Sequence, residues 1–201
     1  MSRDKVRAHA KRLGLLRQGG MVGNEHQTAL AIELAVWTAS GNSSTALQRY
    51  ARQVQLVPDS DEAVVLAGML DSVLSFWQAE RRHPVAGWEL RDISWGQSVW
   101  VVDERIDQCL SMHPLPLFVT RLFGSAPDGF AMSCSSILPV PSELGQITAV
   151  KAGDAEGVSD PEASVRASRK SVFGTALYTA LLKCGATGST ANLAGKAVWR
   201  H

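Results

Sequence analysis

The chain has 201 residues, 45% of them hydrophobic and 19% charged, with a formal net charge of +1. That is material for one domain of ordinary size or two small ones, and it excludes a disordered tail, a collagen-like repeat and a disulfide-dense miniprotein. No stretch approaches the roughly 18 consecutive apolar residues that cross a bilayer.

Residues 3–17 form the first predicted helix. Val6, Ala10, Leu13 and Leu16 recur at spacings of three or four and make one apolar stripe, while Arg3, Arg7 and Lys11 share another face. Gly14 weakens the pattern and Gly19-Gly20 ends it. A second helix, capped by Asn24, spans 25–39 and is apolar nearly all round, so it is expected to be buried. A Ser/Gly/Asn turn follows. The third helix, over 44–55, turns Leu47, Tyr50, Ala51 and Val54 inward and Gln48, Arg49, Arg52 and Gln53 outward. These two helices have the outline of a helix-turn-helix, with Ser43, Ser44 and Thr45 placed to meet phosphates. An ordinary αα-hairpin gives the same outline and is the commoner structure.

The strongest helical pattern starts at Pro58-Asp59, with Asp59 and Glu62 at capping-box spacing. Val65, Met69, Leu70, Val73, Leu74, Phe76 and Trp77 then make a wide apolar stripe to about residue 81, where Arg81, Arg82, His83 and Pro84 supply a stop. From residue 85 the texture changes. Ser94–Val102 and Leu115–Phe123 are β-branched and aromatic runs, Gly129–Cys134 and Gln146–Val150 are shorter strand-like pieces, and Glu104–Met112 reads as a short helix. Residues 153–161 read as a linker, 162–183 as a helix and 190–199 as a terminal helix.

The expected architecture is therefore α+β. A helical part occupies 1–84 and a small antiparallel sheet of three to five strands 85–152. The linker and C-terminal helices, 153–201, are expected to pack back on the rest, an arrangement compatible with one compact domain.

The near-neutral charge hides a segregation. Residues 1–20 hold six basic residues against Asp4, and residues 161–201 hold six against Glu162. The middle keeps eight basic and seventeen acidic residues, so the chain reads +5, −9 and +5 from end to end. Such asymmetry is an argument about partners, because surface potential acts locally. The competing explanation is that the ends fold back on the acidic middle or are solvated helix faces.

Candidate chemistry is sparse. Cys109 and His113 have helical spacing and Cys134 could be a third metal ligand, but structural zinc sites use four ligands in tight pairs, so no metal site and no cofactor is expected. Ser133 or Cys134 could act as a nucleophile with His113 as base and Asp103 or Asp107 behind it, yet no nucleophile elbow surrounds them. The glycine-rich stretch at 184–196 does not fit a phosphate-binding loop, which needs Gly where Thr190 stands and Ser or Thr where Ala197 stands. Trp88, Trp95 and Trp100, beside Arg91, are either a stacking surface for bases or the bulk of a small sheet's core, and core is the favoured assignment.

No catalytic constellation stands out. The leading expectation is a non-catalytic nucleic-acid-associated protein, DNA- or RNA-binding, of the kind that serves as a subunit of a nucleoprotein assembly. Its phosphate contacts would come from Arg3, Lys5, Arg7, Lys11, Arg12, Arg49, Arg52, Arg166, Arg169 and Lys170. The first alternative is an adaptor whose basic helix docks on an acidic protein partner. The second is a small hydrolase or transferase using Cys134 or Ser133 with His113. An odd number of unpaired cysteines and a charged N-terminus predict a cytoplasmic protein without a secretory leader, and no membrane partner is expected.

Overall fold

In the computed structural model, which describes residues 3–17, 20–21, 25–39, 43–93, 96–112, 117–125, 129–133, 136–140 and 171–183, the chain opens with α1 (Arg3–Arg12). A two-stranded ribbon, β1 (Leu16–Arg17) and β2 (Gly20–Met21), leads to three helices: α2 (Glu25–Trp37), α3 (Ala46–Gln53) and α4 (Asp61–Leu70). Then come β3 (Val73–Arg82), β4 (Trp88–Asp92), β5 (Ser98–Val101), α5 (Glu104–Met112), β6 (Leu117–Ser125), β7 (Phe130–Ser133), β8 (Leu138–Val140) and α6 (Ser171–Lys183).

The α+β class holds, but the sheet is neither small nor wholly antiparallel. Its strands run β3-β4-β5-β7-β6-β8, and β6 also pairs with β3, which closes five strands into a barrel. The closing seam is long: Val73 to Gln78 pair with Leu122 to Leu117. One seam is parallel, with Trp100 beside Phe130 and Val101 beside Ala131. The chain reaches that parallel position through α5, as a parallel crossover requires. β8 lies outside the ring, against the first part of β6, whose last part pairs with β7.

The helix expected over 59–81 is the main correction. Its first half exists as α4, but Ser60 and not Asp59 is the cap: the Ser60 hydroxyl accepts the Ala63 amide at 3.3 Å, and Asp59 sits in the preceding turn with φ 59°. Asp71 ends the helix, its amide donating to the carbonyls of Ala67 and Gly68. The apolar stripe then continues with a period of two: Leu74 and Phe76 face the helices, whereas Ser75 and Trp77 face the barrel interior, where the Trp77 indole donates to Thr120 O at 3.0 Å. His83 and Pro84, read as a helix stop, begin a hairpin loop in which the His83 amide donates to Gly87 O at 3.0 Å.

Smaller differences share one cause, local backbone chemistry overriding periodicity. The first helix ends at Arg12 because Gly14 adopts φ 75°, a left-handed stop open to glycine. β4 and β8 are strands the sequence did not announce, and β5 is shorter than the 94–102 run. α5 spans the residues expected of it. The pieces expected at 146–150, 153–161, 162–170 and 190–199 lie outside the described residues.

Two apolar clusters result. Inside the barrel Trp77, Leu90, Val101, Phe118, Leu122 and Ala131 meet Ile106 and Leu110 of α5, which plugs one end. Outside it, Leu74, Phe76, Leu117, Val119, Leu138 and Val140 carry a helical layer built from α1, α2 and α6, with Ala10, Leu30, Leu34, Leu177, Tyr178 and Leu181 buried against them. α6 packs so closely that a Cβ at Gly174 would stand 2.6 Å from Leu34 Cδ2. One ion pair crosses between the layers. Arg121 of β6, 0% exposed, donates from Nε to Glu33 Oε1 of α2 at 3.2 Å and from Nη1 to Ser72 O at 3.2 Å, with its guanidinium 5.5 Å from the centroid of the Trp37 ring. Among the described residues no helix is long and apolar enough to cross a membrane.

Candidate nucleic-acid interface

Seven of the ten cations singled out from the sequence lie on α1 and α3, helices that both pack against α2 and whose Lys5 and Arg49 lie within electrostatic reach of each other. Arg3, Arg7 and Lys11 are exposed along one side of α1, as their spacing of four requires. Lys5 leans the other way and donates from Nζ to Thr38 O, just past the end of α2, at 3.1 Å. Burial first, and then the Arg49 guanidinium of α3, lower the Lys5 pKa from its ordinary 10.5. His9, one turn further along α1, is buried, and its Nδ1 has no hydrogen-bond partner among the described residues. Burial, Arg12 and Lys5 push its pKa down to about 4. Burial dominates both shifts, and neighbouring cations add to each.

α3 is held by its own sequence. Thr45 caps it, accepting the Gln48 amide at 3.0 Å while the Gln48 side chain accepts the Thr45 amide at 2.9 Å. Arg49 Nη1 donates to Ser44 O at 2.5 Å and Arg52 Nη2 donates to Ser44 Oγ, so both guanidinia are drawn toward the start of the helix. Trp37 directs its indole N–H to Met69 O of α4 at 3.3 Å, and the Arg121 guanidinium lies over its ring. Arg166, Arg169 and Lys170 lie outside the described residues, as do Trp95, His113 and Cys134.

The other candidates acquire structural partners. Ser133 Oγ donates to Asp103 Oδ2 at 2.6 Å and accepts from Arg105 Nη2 at 2.5 Å. Asp103 Oδ2 also accepts the Ser133 amide at 3.0 Å, and its Oδ1 accepts the Arg105 amide at 2.9 Å at the start of α5. Burial opposes charge on Asp103, but the Ser133 hydroxyl and amide and the Arg105 cation outweigh it, and its pKa falls below the ordinary 3.8. The group ties α5 to β7. Cys109 is fully buried and its thiol is pushed up to about 11 by that burial, the opposite of an activated nucleophile.

The tryptophans divide. Trp88 is half-buried at the barrel mouth, its Nε1 donating to Asp107 Oδ1 at 2.9 Å with Arg82 lying 4.6 Å over the ring. Trp100 instead lies on the outer face of β5. His83 stacks on it at 4.1 Å and 21°, Phe130 meets it edge-on at 5.6 Å, and Ala86 O accepts its indole N–H at 2.6 Å. A row therefore crosses four strands in register: Arg81, Glu89, Trp100 and Phe130. Arg81 gives Nε and Nη2 to the Glu89 carboxylate at 2.8 and 2.9 Å, and Arg91 stands exposed beside Ser98. Sequence reasoning missed His83 and Phe130. His83 was absorbed into a helix stop, and Phe130 reaches Trp100 only through the parallel seam.

The fold and this surface define a small β-barrel protein with a crossover helix, α5, a helical layer over one side and, away from that layer among the described residues, an aromatic group. Within that class, the chain belongs to the Family of unknown function (DUF7986), whose model matches residues 1–131, from α1 into β7. No curated protein and no solved structure matches the chain.

Proposed function

We propose that the protein is a non-catalytic nucleic-acid-associated protein that holds a single strand across the outer face of β4, β5 and β7. The observation that carries this reading is the His83–Trp100–Phe130 group on the outer face of the five-stranded barrel, with Arg91 and the Glu89-paired Arg81 on the same face. Stacking on aromatic rings beside cations is how single strands are held without sequence preference. Five-stranded Greek-key barrels of the oligonucleotide- and oligosaccharide-binding type use this same side, the face of the second and third strands with the flanking loops. β4 and β5 are the second and third barrel strands here, and the 83–87 loop folds onto them. Fold alone does not make a function; the aromatic group on that face supplies the chemistry.

The test is fluorescence anisotropy with a labelled 20-nucleotide oligothymidylate at about 50 and about 200 mM salt. Phe130→Ala and Arg91→Ala should each weaken binding, the first by roughly 5- to 150-fold, equivalent to one stacked base at about 1–3 kcal/mol. Unchanged affinity in both variants refutes the reading.

A further inference from the structure

We infer a second nucleic-acid-binding surface, formed by α1 and α3 on the far side of the barrel, so that one chain bridges two nucleic-acid segments. This inference rests on the single-strand reading above for its first segment only. The helical layer covers the outer sides of β3, β6 and β8, whereas the aromatic group lies on β5 and β7. In the closed order β3-β4-β5-β7-β6, β5 stands across the ring from the β3–β6 seam, so the two surfaces face away from each other.

The chemistry of the second surface differs from that of the first. Arg3, Arg7 and Lys11 follow one another at single-turn intervals, about 6 Å apart, along an exposed row of roughly 12 Å. Lys5 and Arg12 share α1 with this row, Arg49 and Arg52 lie on α3, and Asp4 is the one acidic residue that α1 and α3 contain. Like charges packed this closely are mutually unfavourable, and after burial the Arg49 cation adds to the lowering at Lys5, as Arg12 and Lys5 do at His9. A polyanion relieves that repulsion. Neither helix offers Trp or Phe for stacking, and its one aromatic, Tyr50, is on α3. The fitting partner is therefore the phosphate backbone of a duplex, which presents one charge per about 1.7 Å of axis and needs no unstacked bases.

The experiment uses the full chain, a donor-labelled 20-nucleotide oligothymidylate and an acceptor-labelled duplex of about 20 base pairs of unrelated sequence. Wild type should produce energy transfer between the two, rising and then falling with protein concentration as separate complexes replace bridged ones. The Arg3→Ala/Arg7→Ala/Lys11→Ala variant should lose that transfer and most duplex binding, with a salt slope flatter by about 2–3, while oligothymidylate affinity stays within about twofold. The Phe130→Ala/Arg91→Ala variant should lose the transfer too, but by losing oligothymidylate binding while duplex affinity stays within about twofold. Persistence of duplex binding in the triple variant overturns the inference, and so does loss of oligothymidylate binding there, which would mean one shared surface. Absence of duplex binding by wild type at about 50 mM salt also overturns it, and directs α1 to an acidic protein partner. Failure of the single-strand reading appears separately, as oligothymidylate affinity untouched in the Phe130→Ala/Arg91→Ala variant.

Discussion

Removing Arg121 is the sharpest test of how the two layers are joined. Its side chain is 0% exposed and the Glu33 side chain 3%, so Arg121→Met leaves the carboxylate buried without this cation. Breaking a buried pair from one side costs about 3–5 kcal/mol. For a chain of this size that is a fall of roughly 6–20 °C in Tm. The double variant Arg121→Met/Glu33→Leu removes both charges, and apolar replacements of similar volume are often neutral. Ser72 O still loses the Nη1 donor, so the double should recover all but about 1 kcal/mol. Urea unfolding followed by far-ultraviolet circular dichroism and by tryptophan emission measures both variants, and the two signals also report whether helices and barrel still unfold together. A double variant as unstable as Arg121→Met alone would refute the argument, because the cost would then lie in lost packing and not in an uncompensated charge.

Two further outcomes follow from the geometry. Asp103→Asn should loosen the tie between α5 and β7, and its destabilisation should depend on pH. The folded pKa is depressed, so the stability that the carboxylate contributes is fully present above the ordinary 3.8 and is lost as pH falls below that through the folded value. Thermal unfolding of both proteins between about pH 7 and pH 2 should converge at the acid end, and a constant gap would show that ionisation of Asp103 is irrelevant. Gly87→Ala places a Cβ 2.0 Å from Val101 O at a φ of +70°. The backbone alone costs about 1–2 kcal/mol and the overlap adds to it. The 83–87 loop should lift from β5, with a lower Tm and altered Trp100 emission, and a wild-type melt and spectrum would contradict this packing.

What the sequence made legible was local. The row of Arg3, Arg7 and Lys11, the buried α2 and the whole of α5 follow from spacing and caps that act within one or two turns. Residues 73–82 misled because Val73, Leu74, Phe76 and Trp77 satisfy a helical stripe and a strand alternation at once. The choice is made by Leu117 to Leu122, some forty residues on, which pair with them along the closing seam. Arg121 sits inside an apolar run and Glu33 inside an apolar helix, and neither had a sequence signal because each is the other's reason for being there. The candidate interface was half legible for the same reason. The cations of α1 and α3 could be read singly, whereas His83, Trp100 and Phe130 come together only through a hairpin and a parallel pairing.

The barrel does not close equally well all round. Between β5 and β7, among the described residues, Trp100 is in register with Phe130 and Val101 with Ala131, and the Val102 amide donating to Ala131 O at 3.0 Å extends the seam by one bond. A parallel seam this short is the place where the ring breathes, and its amides should exchange hydrogen before those of the β3–β6 seam. The Trp100–Phe130 contact straddles that gap like a stitch. A ligand laid over both rings therefore holds the ring shut, and occupancy at the surface becomes rigidity in the barrel itself: the same small gap that limits local stability makes exchange at the Val102 amide a direct gauge of binding.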